Sequence, residues 1–225
     1  MQNQSDYSQN IFSKKDKIIE AYEKGAEKNG WGYVETVLKR CLGDRFYGNI
    51  RKQIKSLSPS QSKALLEMGN SPTESYFLYG KYGTGKTHIA ALLYEVLAYW
   101  KLARGYVWIP EVELKEDFRK ATVEDGYFPK ISVARINRGS IKSLFIDDMG
   151  KVKPSDFYRQ ELYGIIDTIY RQNRQLVITS NYSLAQLSHP KELGVGICRR
   201  IQDVCKENII QFEAIKNIET PKETR

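Results

Sequence analysis

The sequence has few histidines and cysteines and no long apolar segment. Two histidines, three cysteines and no Cys-x-x-Cys pair make a zinc site or a set of disulfides unexpected. The cysteines are expected to be reduced thiols of a cytoplasmic protein. No apolar run approaches the roughly 18 residues that a membrane-spanning helix needs. The first residues, MQNQSDYSQN, lack the apolar stretch of a secretion signal.

Basic residues outnumber acidic ones. The 225 residues include 35 Lys and Arg against 27 Asp and Glu, a formal net charge of +8. This surplus is compatible with a phosphate-rich partner such as nucleic acid, although many cytoplasmic enzymes are equally basic. Glycine and proline, at 16 and 7 residues, are too few for a collagen-like or low-complexity chain. The length is sufficient for one domain with its own core.

Extended and helical patterns alternate along the chain after a helical pattern at residues 14–58. Short apolar runs predict strands at residues 76–79, 106–109, 143–146, 176–179 and 209–212. Periodic apolar positions predict helices at residues 60–68, 86–103, 111–122, 155–173 and 193–206. Ser60 and Ser155 are the expected N-caps of two of these helices, and Gly69 the stop of the first. The alternation predicts an α/β fold with a mainly parallel sheet.

Residues 80–87, GKYGTGKT, match the phosphate-loop pattern G-x-x-x-x-G-K-[ST] between a predicted strand and a predicted helix. Its glycines let backbone N–H groups face a phosphate, and the following helix points its positive end at the same anion. Lys86 is expected on the β- and γ-phosphates, and Thr87 on Mg²⁺. The predicted nucleotide-binding residues of the loop are Gly80, Lys81, Tyr82, Gly83, Thr84, Gly85, Lys86 and Thr87.

Polar residues follow two later strands. Asp147 and Asp148 come directly after the apolar run LFI, where an open α/β sheet places its ligand site. Asp147 is predicted to bind Mg²⁺, and Asp148 to orient or deprotonate an attacking water. Asn181 follows the run VITS and is predicted to hold that water and sense the γ-phosphate of a bound nucleotide.

Four segments, GTGKTHIAALLYEVL, LFIDDMG, VITSNYSLAQL and CRRI, together resemble the DnaC/IstB-type branch of AAA+ ATPases. These are bacterial replicative-helicase loaders and transposition helper ATPases. The resemblance runs from about Tyr76 to Phe212. It implies a P-loop AAA+ fold with a five-stranded sheet between helices, and hydrolysis of ATP with Mg²⁺. It also implies the metal role of Asp147, the catalytic role of Asp148 and the first-sensor role of Asn181, and it adds His88 to the nucleotide site.

An arginine pair on the last predicted helix is interpreted through the same resemblance. Basic residues on a helix usually form only a solvated face. The family pattern assigns Arg200 as the arginine finger that one subunit donates to the γ-phosphate of the next, with Arg199 as the nearby alternative. The chain is therefore expected to form an oligomer.

The sequence departs from the family pattern at its C-terminal side. No second-sensor arginine occurs in FEAIKNIE, where Lys216 is the possible stand-in. The expected domains are an N-terminal helical partner-binding segment at 1–58, an AAA+ ATPase domain at 59–215 and a flexible tail at 216–225. A C-terminal lid domain is not expected.

Basic residues cluster between the second and third predicted strands. Loaders and initiators of this type insert helices there that hold single-stranded DNA. Lys130, Arg135 and Arg138 follow the aromatic pair Tyr127-Phe128, with no acid between them. Basic groups beside an aromatic suit the tracking of a phosphate backbone and the stacking of bases. An ordinary solvated basic loop is the alternative.

Four functions remain open from the sequence alone. An ATP-dependent loader of a replicative helicase is favoured, because the helical segment before the phosphate loop is short. A transposition helper that marks target DNA for a transposase would have the same fold. A small-molecule kinase does not need the polar strand end at Asn181 or the late arginine pair, and the acid pair argues against a binding module without hydrolysis. No membrane partner is expected, and the expected location is the cytoplasm.

Overall fold

The computed structural model describes residues 57–101 and 105–213. The strands are β1 (Tyr76–Gly80), β2 (Tyr106–Pro110), β3 (Ser143–Met149), β4 (Gln175–Ser180) and β5 (Ile209–Phe212). The helices are α1 (Pro59–Asn70), α2 (Lys86–Lys101), α3 (Glu111–Val123), α4 (Val133–Asn137), α5 (Asp156–Arg171), α6 (Leu184–Leu187) and α7 (Val195–Cys205). The predicted N-terminal helices, Cys41, the tail with Lys216 and the expected lack of a lid lie outside the described residues.

The five strands form one sheet in the order β2-β3-β4-β1-β5, and every pair of neighbours is parallel. The predicted α/β fold, with five strands between helices, is confirmed. Because β1, β4 and β3 are neighbours in the sheet, their carboxyl ends meet at one edge. The phosphate loop, Asn181 and the acid pair follow or end these strands. The strand order therefore brings together segments that lie far apart in the sequence.

The strands separate two apolar cores, because successive side chains of a strand point to opposite faces. One core packs α1 and α2 against strand residues that include Tyr76, Leu78, Phe145, Val177 and Phe212. The other packs α3, α5 and α7 against the alternate residues, which include Phe77, Leu144, Ile146, Leu176 and Ile178. Both faces of the central strands are covered, which explains why they read as continuous apolar runs rather than alternating ones. This packing holds the strand ends that carry the polar residues.

The prediction that Ser60 caps the first helix was wrong. Ser58 is the N-cap: its hydroxyl accepts from the Gln61 N–H at 3.3 Å, and the Gln61 side chain accepts from the Ser58 N–H at 2.8 Å. Pro59 lacks an N–H and suits the first helical position, so the cap falls one residue before it. The helix also continues past the predicted stop at Gly69 to Asn70. Ser155 caps α5 as predicted, accepting from the Tyr158 N–H at 3.2 Å.

β3 is longer than predicted. It continues through Asp147 and Asp148 to Met149, with a bulge between Ile146 and Met149. Asp148 has a φ of 59°, which is uncommon for residues other than glycine, asparagine and aspartate. Bulges change the direction of side chains and are common beside functional sites. The two acids, predicted to follow the apolar run at the end of this strand, therefore belong to its irregular last residues.

Within the described ranges, no helix is long and apolar enough to cross a membrane. Cys198 and Cys205 are free and buried, and burial raises the pKa of each thiol to about 12. The same ranges contain no group of three or more His, Cys, Asp or Glu side chains that could hold a metal.

Candidate nucleotide site

The phosphate loop is the turn between β1 and α2. Gly80 has a φ of 149°, and a Cβ there would lie 2.3 Å from the carbonyl oxygen of Phe212 on β5. Gly85, directly before α2, has a φ of 88°, which disfavours residues with a side chain. The Thr84 hydroxyl donates to the Lys81 carbonyl at 2.9 Å and closes the loop. The loop thus ends at a helix N-terminus, where unpaired N–H groups attract anions.

Lys86 is 5% exposed and links the phosphate loop to the end of β4. Its ammonium donates to the carbonyl oxygens of Gly80 at 2.8 Å and Lys81 at 3.0 Å, and to Oδ1 of Asn181 at 3.0 Å. Burial lowers the pKa of Lys86, while Asp148 and Asp147 raise it in opposition. The residue predicted to contact the γ-phosphate and the residue predicted to sense it are therefore direct neighbours.

Asp147 is the buried acid of the site, at 9% exposure. Its Oδ1 accepts from the hydroxyls of Thr87 at 2.8 Å and Thr179 at 2.6 Å. Burial raises the pKa of Asp147, and the two hydroxyl bonds lower it in opposition. A hydroxyl and a carboxylate at this separation are oxygen ligands of the kind that Mg²⁺ takes beside nucleotide phosphates. Thr87 and Asp147 therefore fit the metal role that the sequence predicted for them.

Asp148 lies beside Asp147 but has different partners. Its backbone N–H donates to Oγ1 of Thr179 at 2.9 Å, so Thr179 contacts both acids. Its carboxylate Oδ2 accepts from the ammonium of Lys151 at 2.6 Å. The Asp148 side chain is 30% exposed, which leaves it accessible from the open side of the site.

Glu111, the first residue of α3, hydrogen-bonds to the backbone of the turn after β3. Glu111 is 1% exposed, and its Oε2 accepts from the N–H groups of Gly150 and Val152, both at 2.9 Å. Its Oε1 accepts from the Tyr158 hydroxyl at 3.1 Å. Burial raises the pKa of Glu111, and these hydrogen bonds lower it in opposition. The backbone on both sides of Lys151 is thereby fixed to the core.

Most of the residues predicted to contact the nucleotide, the metal or the attacking water meet around one cavity of about 320 Å³ at the carboxyl edge of the sheet. Burial lowers the pKa of His88 and favours its neutral form. Lys151 was not predicted but lines the same cavity. Gly80, Lys81 and Thr84 belong to the phosphate loop without lining the cavity. The lining residues are Tyr82, Gly83, Gly85, Lys86, Thr87, His88, Asp147, Asp148, Lys151 and Asn181.

Arg200 lies elsewhere, on α7 against α5. Its Nε is 3.1 Å from Asp167 Oδ1, and one terminal nitrogen is 3.2 Å from Asp203 Oδ2. Its guanidinium carbon also lies 4.6 Å from the ring centroid of Tyr170. The neighbouring Arg199 is exposed. Neither arginine lines the cavity of its own chain, so neither is placed to contact a nucleotide bound there.

The basic segment between β2 and β3 is anchored by Asp117, a buried residue of α3. Its carboxylate accepts from the Tyr127 hydroxyl at 2.6 Å and from the N–H groups of Lys130 and Ile131, both at 3.0 Å. This anchoring leaves Phe128 89% exposed. The segment therefore presents an aromatic ring at the surface, as base stacking requires.

The three predicted DNA-contacting residues differ in their partners. The Lys130 ammonium lies 3.7 Å from a carboxylate oxygen of Glu113. The sequence did not predict this contact, because the two residues are 17 positions apart. The Arg135 guanidinium donates to the carbonyl oxygens of Lys130 and, at 3.5 Å, of Pro129. Arg138 is exposed at the end of α4. Lys130 and Arg135 thus make contacts within the chain that the sequence did not predict.

The sequence matches a known protein family. Residues 55–193, more than half of the chain, match the family described as the bacterial DnaA ATPase domain. The chain belongs to that family. It is an AAA+ ATPase, and the predicted resemblance to this class is confirmed. The match includes the phosphate loop, both acids and Asn181, but it ends before Arg200.

Individual relatives agree with the family. The chain is 30% identical over 117 residues to the replicative helicase loader DnaI of Bacillus subtilis, which covers 50% of this chain and 35% of DnaI. Over 139 residues it is 29% identical to the replication initiator DnaA of Aquifex aeolicus, covering 62% of this chain and 32% of that protein. The DnaA-type chain described here thus spans about a third of the length of these relatives.

A solved structure has the same fold. A crystal structure of the DnaC helicase loader aligns with a TM-score of 0.60 at 23% identity, covering 76% of this chain and 99% of that one. At this level of identity the likeness concerns the AAA+ fold and not a shared activity.

Several residues of this DnaA-type site were missed by sequence reasoning. Thr179 was treated only as part of a polar strand end, although it contacts both acids. Glu111 resembles any acid in the first turn of a helix, and its burial was not visible. Gln61 donates to the Thr84 carbonyl at 3.2 Å and so links α1 to the phosphate loop, 23 residues away. Lys151 had a usable signal, because it is the third residue after Asp148 and follows a glycine.

Proposed function

We propose that this chain is an ATP-dependent loader of a replicative helicase that acts in the cytoplasm. It would bind ATP with Mg²⁺, form an oligomer on single-stranded DNA and engage the helicase. The observation that most supports this proposal is a single cavity at one edge of the sheet. It is lined by Lys86, Thr87, Asp147, Asp148 and Asn181. The relationship to a protein named as a replicative helicase loader supports the choice of partner.

The nucleotide would bind to the phosphate loop, and its metal would bind to Thr87 and Asp147, which are hydrogen-bonded to each other. Lys86 would exchange its bonds to loop carbonyls and Asn181 for the β- and γ-phosphates, which are stronger acceptors. Thr87 and Asp147 would hold the metal, since their oxygens already lie 2.8 Å apart. The bound Mg²⁺ would neutralise charge on the phosphates. Thr179 would keep the Asp147 carboxylate turned toward Thr87.

Hydrolysis would use the second acid and the polar residue after β4. Asp148 is only partly buried and would take a proton from the attacking water. Asn181 contacts Lys86, so it would lie beside the γ-phosphate and hold the same water. Arg200 would come from the neighbouring subunit, because its position on α7 lies apart from the cavity of its own chain. Its charge would stabilise the transition state.

Contacts with partners would lie on two other segments. Phe128, Lys130, Arg135 and Arg138 would hold single-stranded DNA between β2 and β3. Residues 1–58 would contact the helicase, ahead of the ATPase domain proposed at 59–215 and the tail at 216–225. The exposure of Phe128 and Arg138 supports the first assignment.

The test is a pull-down of the full chain from its native host, with ATP and Mg²⁺ present. A replicative helicase recovered with the wild-type chain, and lost with Lys86→Ala, is the expected result. Lys153→Ala is the matched control, since its exposed side chain does not line the cavity. Recovery of a transposase instead would replace the loader by a transposition helper.

A further inference from the structure

Lys151 occupies a place in the cavity that no part of the predicted site accounts for. Its ammonium lies 2.6 Å from Oδ2 of Asp148, and the two side chains are 45% and 30% exposed. The hydrogen bond with Asp148 raises the pKa of Lys151, which keeps the ammonium charged. An ammonium on this carboxylate occupies one of the two oxygens with which a general base can accept a proton from the attacking water. The pair therefore leaves the proposed base with one oxygen already engaged.

The charged side chains that line the cavity balance one another. Among the described lining residues, Lys86 and Lys151 are the lysines, and Asp147 and Asp148 are the acids. A nucleotide triphosphate brings several negative charges into this space. Its terminal phosphate is a stronger acceptor for an ammonium than a single partly exposed carboxylate. Lys151 would then have a better partner than Asp148.

The backbone around Lys151 is fixed, whereas its side chain is free to change partner. Glu111 holds the N–H groups of Gly150 and Val152. A Cβ on Gly150 would lie 2.8 Å from side-chain atoms of Leu187 and Tyr182, so the turn has little room to shift. The four-carbon stem of lysine, in contrast, carries a mobile ammonium. An exchange of partners would therefore need only side-chain rotation.

We propose that the Lys151 ammonium pairs with Asp148 while the γ-phosphate position is empty. When ATP binds, the Lys151 side chain rotates and its ammonium pairs with the γ-phosphate instead. The inference rests on the proposed ATPase role of Asp148. Transfer frees the carboxylate for the water at the moment a substrate is present. Release of the γ-phosphate as inorganic phosphate returns Lys151 to Asp148. Lys151 thus distinguishes ATP from ADP and positions Asp148 for hydrolysis.

The experiment compares ATP and ADP affinities of the full chain, with Mg²⁺, by titration calorimetry. Lys151→Met removes the charge and keeps most of the stem. We expect its ATP affinity to fall by about tenfold and its ADP affinity to stay within about twofold, with a lower kcat for hydrolysis. Lys151→Arg keeps a cation and should retain most of the preference for ATP. Lys153→Met is the matched control, because the exposed Lys153 side chain does not line the cavity.

An unchanged ratio of ATP to ADP affinity in Lys151→Met would overturn the inference, whatever happens to kcat. Equal loss for both nucleotides would do the same, since it would show contact with phosphates that ADP also carries. These outcomes differ from failure of the proposed function. In that case the wild-type chain would not bind or hydrolyse ATP, and Lys86→Ala would have no effect.

Discussion

The nucleotide cavity and the region around Arg200 on α7 differ in whether their functional side chains already face the site where they would act. In the cavity, residues from three strand ends are already within hydrogen-bonding distance, as in the contact of Lys86 with Asn181 at 3.0 Å. Arg200 is instead occupied by Asp167, Asp203 and the ring of Tyr170. A single chain therefore assembles the groups that are proposed to bind and position ATP. The arginine finger that we propose would come from another copy.

The difference follows from how each region is held. The cavity residues are fixed by strand pairing and by buried partners such as Thr179 and Glu111. The Arg200 ion pairs lie near the surface, where such pairs contribute little to stability. Exchanging them for a phosphate bound to a neighbouring subunit, as we propose for Arg200, would therefore cost little. The following variants test whether the two regions act separately as this comparison requires.

The largest expected effect is that of Arg200→Ala. An arginine donated between subunits stabilises only the transition state, so hydrolysis by the assembled protein should fall by about 10³-fold. ATP affinity should stay close to that of the wild type. Steady-state ATPase assays and calorimetry measure the two quantities. Arg199→Ala is the matched comparison: a larger loss for this variant would move the role to Arg199.

Asp148→Asn should have the next largest effect. The amide keeps the shape of the side chain but is a poor base, so turnover should fall by roughly 100-fold while ATP still binds. Single-turnover hydrolysis measures the first quantity and calorimetry the second. Asp147→Asn should instead weaken binding that depends on Mg²⁺. If Asp148→Asn lost binding and turnover equally, the roles of the two acids would be exchanged.

Lys86→Ala tests the binding side of the comparison. Loss of the buried ammonium should weaken the affinity for ATP with Mg²⁺ at least tenfold, which is about 1.4 kcal/mol or more. Titration calorimetry gives the value. Lys153→Ala, an exposed lysine that does not line the cavity, should bind normally. An affinity unchanged by Lys86→Ala would remove the cavity from its assigned role.

The smallest effect is expected in the segment between β2 and β3. If Lys130, Arg135 and Arg138 contact phosphates, binding of single-stranded DNA should weaken with salt, with a log–log slope of about −0.7 per contact. The triple alanine variant should flatten that slope by about two units. Fluorescence anisotropy at several salt concentrations measures it. An identical slope would make the segment an ordinary basic loop, with Lys130 and Arg135 committed to their partners inside the chain.

The sequence predicted those parts of the molecule in which local pattern and chemistry coincide. The phosphate loop needs glycines at fixed spacing, and the apolar runs before Asp147 and Asn181 revealed the strands that carry them. Contacts made through burial had no local signature. Glu111 is an ordinary first-turn acid until the fold closes over it, and Glu113 approaches Lys130 only once α3 and the following segment pack together. The cap at Ser58 was missed because Pro59 shifted the start of the helix.

The most direct test of the division between cavity and Arg200 is a mixing experiment. Arg200→Ala and Lys86→Ala proteins should each be nearly inactive alone. In mixed assemblies, the intact Arg200 of one can serve the intact Lys86 site of the other, so ATPase activity should return and rise with protein concentration. Mixing either single variant with the double variant is the control. Neither mixture should regain activity at any concentration, because Lys86 or Arg200 is then missing from every copy. The account is contradicted if the two single variants restore nothing together and the wild-type rate per subunit is independent of concentration.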